Sequence, residues 1–213
     1  MNSDEHFIPP HGGFEKLHSF QKSLIVFDAT LHFCGKFLPK RGDRTVDQMV
    51  QAARSGKQNI VEGSDVSGVS KEGELKLTGV ARASLKELAQ DYLDFLRNHA
   101  SDEWEPSHPY AKRLRQLNRT SGANYATFKK GIEHPDPLIA ANVILGLIRV
   151  TCYLLDRQIA RLERDFLKNG GLRERMTQAR LRERERQRRE QKLKDIEEER
   201  EKFRRKRPPR KEG

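Results

Sequence analysis

The chain has 213 residues, a formal net charge of +11 and a hydrophobic share of only 35%. That length allows one domain of about 150 residues with a tail. Two cysteines exclude a disulfide framework, and an aromatic share of 7% disfavours a surface built mainly for base stacking, so a bound nucleic acid would be held through its phosphates.

The chain begins with residues 1–13, which are polar and rich in Pro and Gly and predict a flexible N-terminus without a secretory signal. The most apolar window, residues 138–155, is interrupted by Asn142, Arg149 and Thr151. These polar residues argue against a membrane span. A cytoplasmic protein without a membrane partner is therefore expected.

Three stretches carry apolar residues in steps of three and four, the seven-residue repeat of packed helices. They are residues 17–38, 78–95 and 138–166. Each stretch predicts a long helix with one face available for packing.

Local signals mark where these helices begin and end. Pro39 and Gly42 are expected to end the first, and the Asp136–Pro137 pair to open the last. A shorter helix is predicted between the first two long ones, with Thr45 as its cap and a break at residues 63–68. Ser70 is expected to cap the helix that follows.

The connection formed by residues 100–134 is less regular. A short helix is predicted at residues 108–117, and Tyr125 and Phe128 are expected to pack back on the body. No stretch alternates apolar and polar residues as a strand would. The predicted fold is all-α: an up-down-up-down four-helix bundle over residues 14–169, with a long crossover between its third and fourth helices.

The remaining residues, 170–213, form a basic suffix and a charged tail. Residues 172–213 hold 18 Lys and Arg against 10 Asp and Glu. Alternating Arg and Glu predict a solvated helix, with disorder beyond about Phe203. The basic excess predicts contact with a polyanion, and the candidate nucleic-acid contacts here are Arg173, Arg175, Arg180 and Arg182.

Three short runs in the second and third helices resemble one protein family: NIVEG at residues 59–63, Ser70-Lys71, and ARASLKEL at residues 81–88. They resemble the bacterial four-helix bundle proteins encoded in intervening sequences of 23S ribosomal RNA genes. The same family includes the accessory variability determinant of diversity-generating retroelements. The run DFLKNGGLRERMTQAR at residues 165–180 looks like a suffix that a subset of the family carries.

The resemblance covers about residues 14–166 and implies a homo-oligomer, pentameric in characterised relatives, with a basic surface that binds nucleic acid. In the retroelement branch it implies a reverse transcriptase and its template RNA as partners. It implies no enzymatic activity and no cofactor. Many relatives have Ser-Ile-Pro before the Asn-Ile-x-Glu-Gly run, whereas this chain has Ser55-Gly56-Lys57.

Six further cations, on the second and third helices, are candidate nucleic-acid contacts: Arg54, Lys57, Lys71, Lys76, Arg82 and Lys86. Lys57 lies near the centre of an apolar face, so it must snorkel, pair, or meet a subunit boundary. A solvated helix edge or face is the simpler reading of the whole set. In an oligomer the same cations would repeat around the symmetry axis as a continuous basic band.

Four polar residues occur one turn apart in two pairs: Asn59 with Glu62, and Ser84 with Glu87. A polar network that fixes the register of two helices is one reading. The other makes Glu62 and Glu87 metal ligands, although the Glu-x-x-His pair of di-iron bundles is missing. The arginines at positions 149, 157, 161 and 164 are expected to form intrahelical or intersubunit ion pairs.

Four functional hypotheses follow from these observations. The leading one is a non-enzymatic, homo-oligomeric module that binds RNA or DNA with weak sequence preference. An adaptor subunit for a reverse transcriptase or another element-encoded enzyme is the alternative. A metal-dependent nuclease would have to use carboxylates around residues 62–74, and a pure scaffold would use the tail only for solubility.

Overall fold

The structure is a computed structural model of the chain, and it describes residues 12–38 and 44–205. The predicted helix end at Pro39 and Gly42 lies outside the described residues. The same holds for residues 1–11 of the predicted flexible N-terminus and for the predicted disorder beyond residue 205.

The described residues form helices and loops, without a strand, which confirms the all-α class. A short 3-10 helix, Phe14–Lys16, comes first. The α-helices are α1 (His18–Phe37), α2 (Arg44–Val66), α3 (Lys71–Asn98), α4 (Pro109–Asn118), α5 (Tyr125–Ile132), α6 (Pro137–Asn169) and α7 (Leu172–Arg205).

The chain divides into two compact units, one ending at Asn169 and the other containing the residues from Gly170 onward. Helices α1 to α6 belong to the first unit and α7 to the second. In the first unit α1 packs against α2 and α6, α3 packs against α2 and α6, and the short helices α4 and α5 pack on α6.

The core of the first unit contains buried side chains from all six of its α-helices. Phe33 and Tyr92 are fully buried, with ring centroids 5.1 Å apart in an edge-on arrangement. The Tyr92 hydroxyl donates a hydrogen bond to Thr30 Oγ1 at 3.2 Å, so this polar atom is satisfied inside the core. Ile144 and Ile148 of α6 are also fully buried.

Helices α2 and α3 approach each other closely at Gly56. A Cβ atom on Gly56 would lie 2.7 Å from Leu85 Cγ, so only glycine leaves room for that leucine. The predicted break at residues 63–68 starts too early, since α2 continues through Gly63 to Val66. Gly63 is buried against Leu77 of α3, and this packing outweighs the low helix propensity of glycine.

Side-chain caps define several helix starts. Ser70 Oγ accepts a hydrogen bond from Gly73 N at 2.9 Å, as expected for the cap of α3. Thr45 lies inside α2 instead of capping it. The sequence signals did not predict helix α5, which begins with a capping box formed by Asn124 and Thr127.

The apolar repeat of α1 marks two different faces. The fully buried side chains include Val26, Ala29 and Phe33, which line one face. The predicted repeat instead runs through Leu24 and Leu31, which are 38% and 43% exposed. Part of the apolar surface of α1 therefore remains exposed to solvent in a single chain.

One window within Pro137–Lys202 is long and apolar enough to cross a membrane by length and composition, and 56% of it is buried in the structure. Buried core helices of soluble proteins commonly meet the same criterion.

Candidate nucleic-acid interface

The two candidate cations of α2 have different surroundings. Arg54 is exposed, and it forms no ion pair with any described residue. Lys57 is half-buried, with its Nζ atom 4.2 Å from the ring centroid of Phe27. Burial raises the pKa of the neighbouring Asp28 carboxyl, and the positive charge of Lys57 partly offsets this rise. The ammonium group of Lys57 therefore lies against the Phe27 ring of α1 and close to the Asp28 carboxyl group.

Two of the four candidate cations on α3 are paired within the chain. Lys71 forms an ion pair with Glu74 at 2.8 Å, and Arg82 pairs with Asp156 of α6. Lys76 and Lys86 are exposed and have no ion-pair partner in the part of the chain that the structure describes. Phosphate binding in a single chain would therefore depend more on Lys76 and Lys86 than on the other two.

The groove between α2 and α3 is acidic. It encloses about 640 Å³ and is lined by Asp47, Glu87 and Asp91 together with Arg44. Burial raises the pKa of the Asp91 carboxyl, with further contributions from the charges of Asp94 and Glu87. A phosphate chain that crossed from α2 to α3 would meet these carboxylates, so the predicted cations do not form one continuous band on a single chain.

The predicted polar network forms in part, and it includes a residue that the sequence did not suggest. Asn59 Nδ2 donates hydrogen bonds to the backbone oxygen of Ser55 at 2.9 Å and to its hydroxyl at 3.2 Å. The Ser55 hydroxyl is 3.0 Å from the hydroxyl of Ser84. Glu62 and Glu87 are exposed and lie outside this chain of bonds. Ser55 therefore links α2 to α3.

A second group of cations gathers where α3 meets α6, around the buried thiol of Cys152. Burial raises the pKa of that thiol, and the positive charges of Lys86, Arg149 and Arg82 act against the rise. Arg149 is held by Glu103, with N–O distances of 3.1 and 2.9 Å. We call Arg82, Lys86 and Arg149 the α3–α6 seam.

The seam keeps a net positive charge. Asp156 and Glu103 pair with Arg82 and Arg149, whereas Lys86 has no carboxylate partner among the described residues. From sequence, Arg149 is expected to form an intrahelical or intersubunit ion pair, whereas in the structure it pairs with Glu103 of the loop after α3. Its position beside Lys86 depends on helix packing and could not be inferred from periodicity.

Helix α7 carries the strongest concentration of unpaired cations. Every side chain from residue 180 to residue 202 is exposed. Arg186 pairs with Glu183 at 2.9 Å and with Glu190 at 3.7 Å. Within the described part of the chain no carboxylate pairs with the other arginines of residues 180–189, namely Arg180, Arg182, Arg184, Arg188 and Arg189.

The other two predicted contacts on α7 differ from each other. Arg173 is exposed, whereas Arg175 is half-buried and its Nε atom has no hydrogen-bond partner within residues 12–38 and 44–205. The start of α7 is stabilised by the Glu174 carboxylate, which accepts a hydrogen bond from the backbone N–H of Gly171. An anchored N-terminal turn keeps the exposed arginines that follow on a continuous helix.

Among the described residues, no group of three or more His, Cys, Asp or Glu side chains is placed to hold a metal ion. Glu62 and Glu87, the two candidate ligands, lie on different helices with exposed side chains. The absence of catalytic function stays a prediction.

Comparisons with protein-family models, curated proteins and solved structures find no match to this chain. Membership in the family that residues 59–63 and 81–88 resemble therefore stays a prediction.

Proposed function

We propose that this chain is a non-enzymatic module that binds RNA or DNA as a homo-oligomer, through phosphate contacts and with little sequence preference. The observation that carries the proposal is the set of exposed, unpaired arginines on α7. Arg180 and Arg189 are separated by about 14 Å of helix, at a rise of about 1.5 Å per residue. Guanidinium groups at this density suit the repeating phosphates of a nucleic acid.

The helical body supports the same proposal with a smaller positive patch. Lys86 of the α3–α6 seam remains uncompensated, and Arg54 and Lys76 are exposed without ion-pair partners in the described chain. One copy offers few such cations. Several copies around a symmetry axis would repeat them, and the summed field would attract a polyanion more strongly than one chain does.

The architecture that we propose for the body is an up-down-up-down four-helix bundle of α1, α2, α3 and α6. The closed cycle of packing between these four helices supports it. The segment with α4 and α5 would then be the long crossover between the third and fourth bundle helices.

Self-association is supported by the second apolar face of α1. Leu24 and Leu31 are seven residues apart, so they lie nearly above one another on the same face, and both are exposed. A second copy of the chain would cover them. A pentamer is the assembly size that the family resemblance implies.

The salt dependence of binding tests the proposal. We expect the full chain to bind a fluorescein-labelled 20-nucleotide RNA and the equivalent DNA, with affinity that falls steeply as salt rises. The slope of log K against log salt should become shallower by about 0.7 for each phosphate of a single strand that the protein no longer neutralises. Replacing Arg180, Arg182, Arg184, Arg188 and Arg189 with Gln should therefore reduce the slope by about 3.5.

A charge-matched control separates local phosphate binding from total charge. The control variant carries Gln at five exposed basic positions of α4, α5 and the loop after α4: Lys112, Arg113, Arg119, Lys129 and Lys130. It should keep a slope close to that of the unmodified chain. Equal reductions of the slope in both variants, or no binding of either nucleic acid at low salt, would contradict the proposal.

The adaptor function is the second candidate, and exposed apolar side chains on α7 favour it. Met176, Leu193 and Ile196 are all exposed on an otherwise charged helix. These residues could dock on an enzyme such as a reverse transcriptase. Replacing all three with Gln should abolish capture of that enzyme while nucleic-acid binding persists, whereas unchanged capture would argue against an adaptor that uses α7.

A further inference from the structure

A cavity of about 330 Å³ lies between the loop after α3, helix α4 and helix α6. Leu114 and Val150 contribute apolar walls, and Trp104 and Tyr153 contribute aromatic rings. Arg115 and Arg149 also line it. We call this cavity the connector pocket. Its volume suits one small planar group with a short attachment and is at the lower end for ligand sites.

The loop that carries Trp104 is fixed to α6 by a buried asparagine. Asn142 Oδ1 accepts a hydrogen bond from the backbone N–H of Trp104 at 2.8 Å. Its Nδ2 atom donates to the backbone oxygen of Asp102 at 3.3 Å and to that of Leu138 at 3.1 Å. Because Asn142 is buried and fully bonded, the pocket wall is held in place before any ligand arrives.

Two aromatic side chains of the connector pocket, Tyr153 and Trp104, are not fully buried in the core of the fold. Tyr153 is 57% exposed, and Arg157 holds it by donating to its hydroxyl at 3.4 Å and by lying 6.0 Å from its ring centroid. Trp104 is half-buried and stacks on His108, with ring centroids 4.9 Å apart and planes 10° apart. Such fixed rings beside arginines resemble the stacking platforms of single-strand-binding surfaces.

The lining of the connector pocket carries one net positive charge, from Arg115 and Arg149 against Glu103. Arg157, which contacts Tyr153, adds a cation at the rim, and Asp102 and Glu105 are exposed carboxylates on the loop that carries Trp104. Glu103 pairs with two nitrogens of Arg149. The pocket is also continuous with the α3–α6 seam, because Arg149 belongs to both.

We propose that the connector pocket binds one unstacked nucleobase of a single-stranded nucleic acid, with the adjoining phosphate held by arginines at its rim. This inference rests on the proposed function and refines it. The base stacks on the aromatic rings inside the pocket. A duplex keeps its bases paired and stacked, so it can meet the arginines but cannot fill the pocket.

The chain contains a single tryptophan, so its emission reports directly on the pocket. The full-length protein is titrated with a 12-nucleotide oligouridylate, with oligothymidylate of equal length, and with a duplex RNA of equal length. Anisotropy of labelled strands is recorded in parallel. We expect saturable quenching of Trp104 emission by the single strands and none by the duplex.

Two variants complete the test. Tyr153→Ala should weaken single-strand binding by about tenfold or more, as the removal of one stacking ring does elsewhere, and should leave duplex binding unchanged. Leu167→Ala is the control, since Leu167 is an apolar residue of the same helix that is 84% exposed and does not line the pocket. Both changes are at the surface, and circular dichroism verifies that the variants fold.

The possible failures are distinguishable. Single strands that bind without quenching Trp104, or with the same affinity in the Tyr153→Ala and Leu167→Ala variants, would overturn the pocket and leave the proposed function standing. No anisotropy change with any strand at low salt would overturn both.

Discussion

Lys22 is the most unusual single residue of the core. It lies on α1 with 8% of its surface exposed, and its Nζ atom has no hydrogen-bond partner among the described residues. The ring of Phe128 lies 4.7 Å from that atom and compensates only part of the lost hydration. Burial lowers the pKa of the ammonium group below its usual 10.5. A buried charge of this kind costs folding free energy.

Replacing this residue by Lys22→Met should stabilise the first unit by about 1 kcal/mol at neutral pH. The reason is that an unsatisfied buried donor costs about 1–3 kcal/mol, and part of this cost is offset by the interaction with Phe128. Urea denaturation followed by circular dichroism measures the change. Lys36→Met is the control, since Lys36 is an exposed lysine on the same helix that also lies over a ring, at 5.0 Å from Phe37.

The stability of the unmodified protein and that of the Lys22→Met variant should depend differently on pH. Because the pKa of Lys22 is lower in the folded chain, the unfolded chain binds more protons between that lowered pKa and 10.5. Lys22 therefore makes the free energy of unfolding increase with pH over this window. The rise should be smaller in the Lys22→Met protein, and a variant less stable than the original at neutral pH would contradict the account.

The thiols of the core are poor nucleophiles. Burial is the main cause that raises the pKa of Cys34 to about 11, and the nearby Asp91 carboxylate adds to it. A thiol with this pKa remains protonated at neutral pH, and the thiolate is the reactive form. Cys34 therefore acts as a small apolar residue of the core.

At the scale of helices, the apolar repeat of α1 does not determine which face of the helix is buried. Its apolar residues occupy two faces, and periodicity alone does not tell which one the chain buries. The buried face, with Val26 and Phe33, is selected by packing against α2, α3 and α6. The face with Leu24 and Leu31 remains exposed, and we expect a second copy of the chain to cover it.

Substituting both exposed leucines, Leu24→Gln with Leu31→Gln, should dissociate the proposed oligomer into chains of 24.7 kDa. Polar side chains remove the apolar area that favours association and should leave the fold of each chain nearly unchanged. Light scattering measures the mass. The control is Val69→Gln with Leu167→Gln, two other exposed apolar positions. A double Leu variant that keeps the mass of the unmodified protein would rule out this face.

Several helices were predictable because their signals are local. The repeats at residues 78–95 and 138–166 lie within α3 and α6, and Ser70 and Pro137 stand at the helix starts that they indicated. The continuation of α2 through Gly63 was not predictable, since it depends on the approach of Leu77 from another helix. Local propensity argues for a break there, and tertiary packing overrides it.

The candidate sites also differ in how far the sequence alone could predict them. The exposed arginines of α7 follow directly from composition, because a segment so rich in charge has no core to enter. The connector pocket depends on the hydrogen bond of Trp104 with Asn142, 38 residues away in the chain. Neither the α3–α6 seam nor this pocket has a periodic signature, so only the packed structure brings their members together.

At the scale of the whole molecule, positive charge is distributed unevenly. The acidic groove between α2 and α3 makes that part of the body unsuitable for phosphates, whereas the α3–α6 seam and α7 each retain unpaired cations. One copy of the body therefore offers only a small positive patch. Repetition of the patch in an oligomer, together with α7, is what makes phosphate binding strong in this account.

Light scattering combined with absorbance at 260 and 280 nm, on protein purified from cells at low salt, measures assembly and bound nucleic acid together. We predict a particle several times heavier than the 24.7 kDa chain, with an excess of absorbance at 260 nm that disappears in high salt. A particle with the mass of one chain, and with the absorbance of protein alone, would contradict the account.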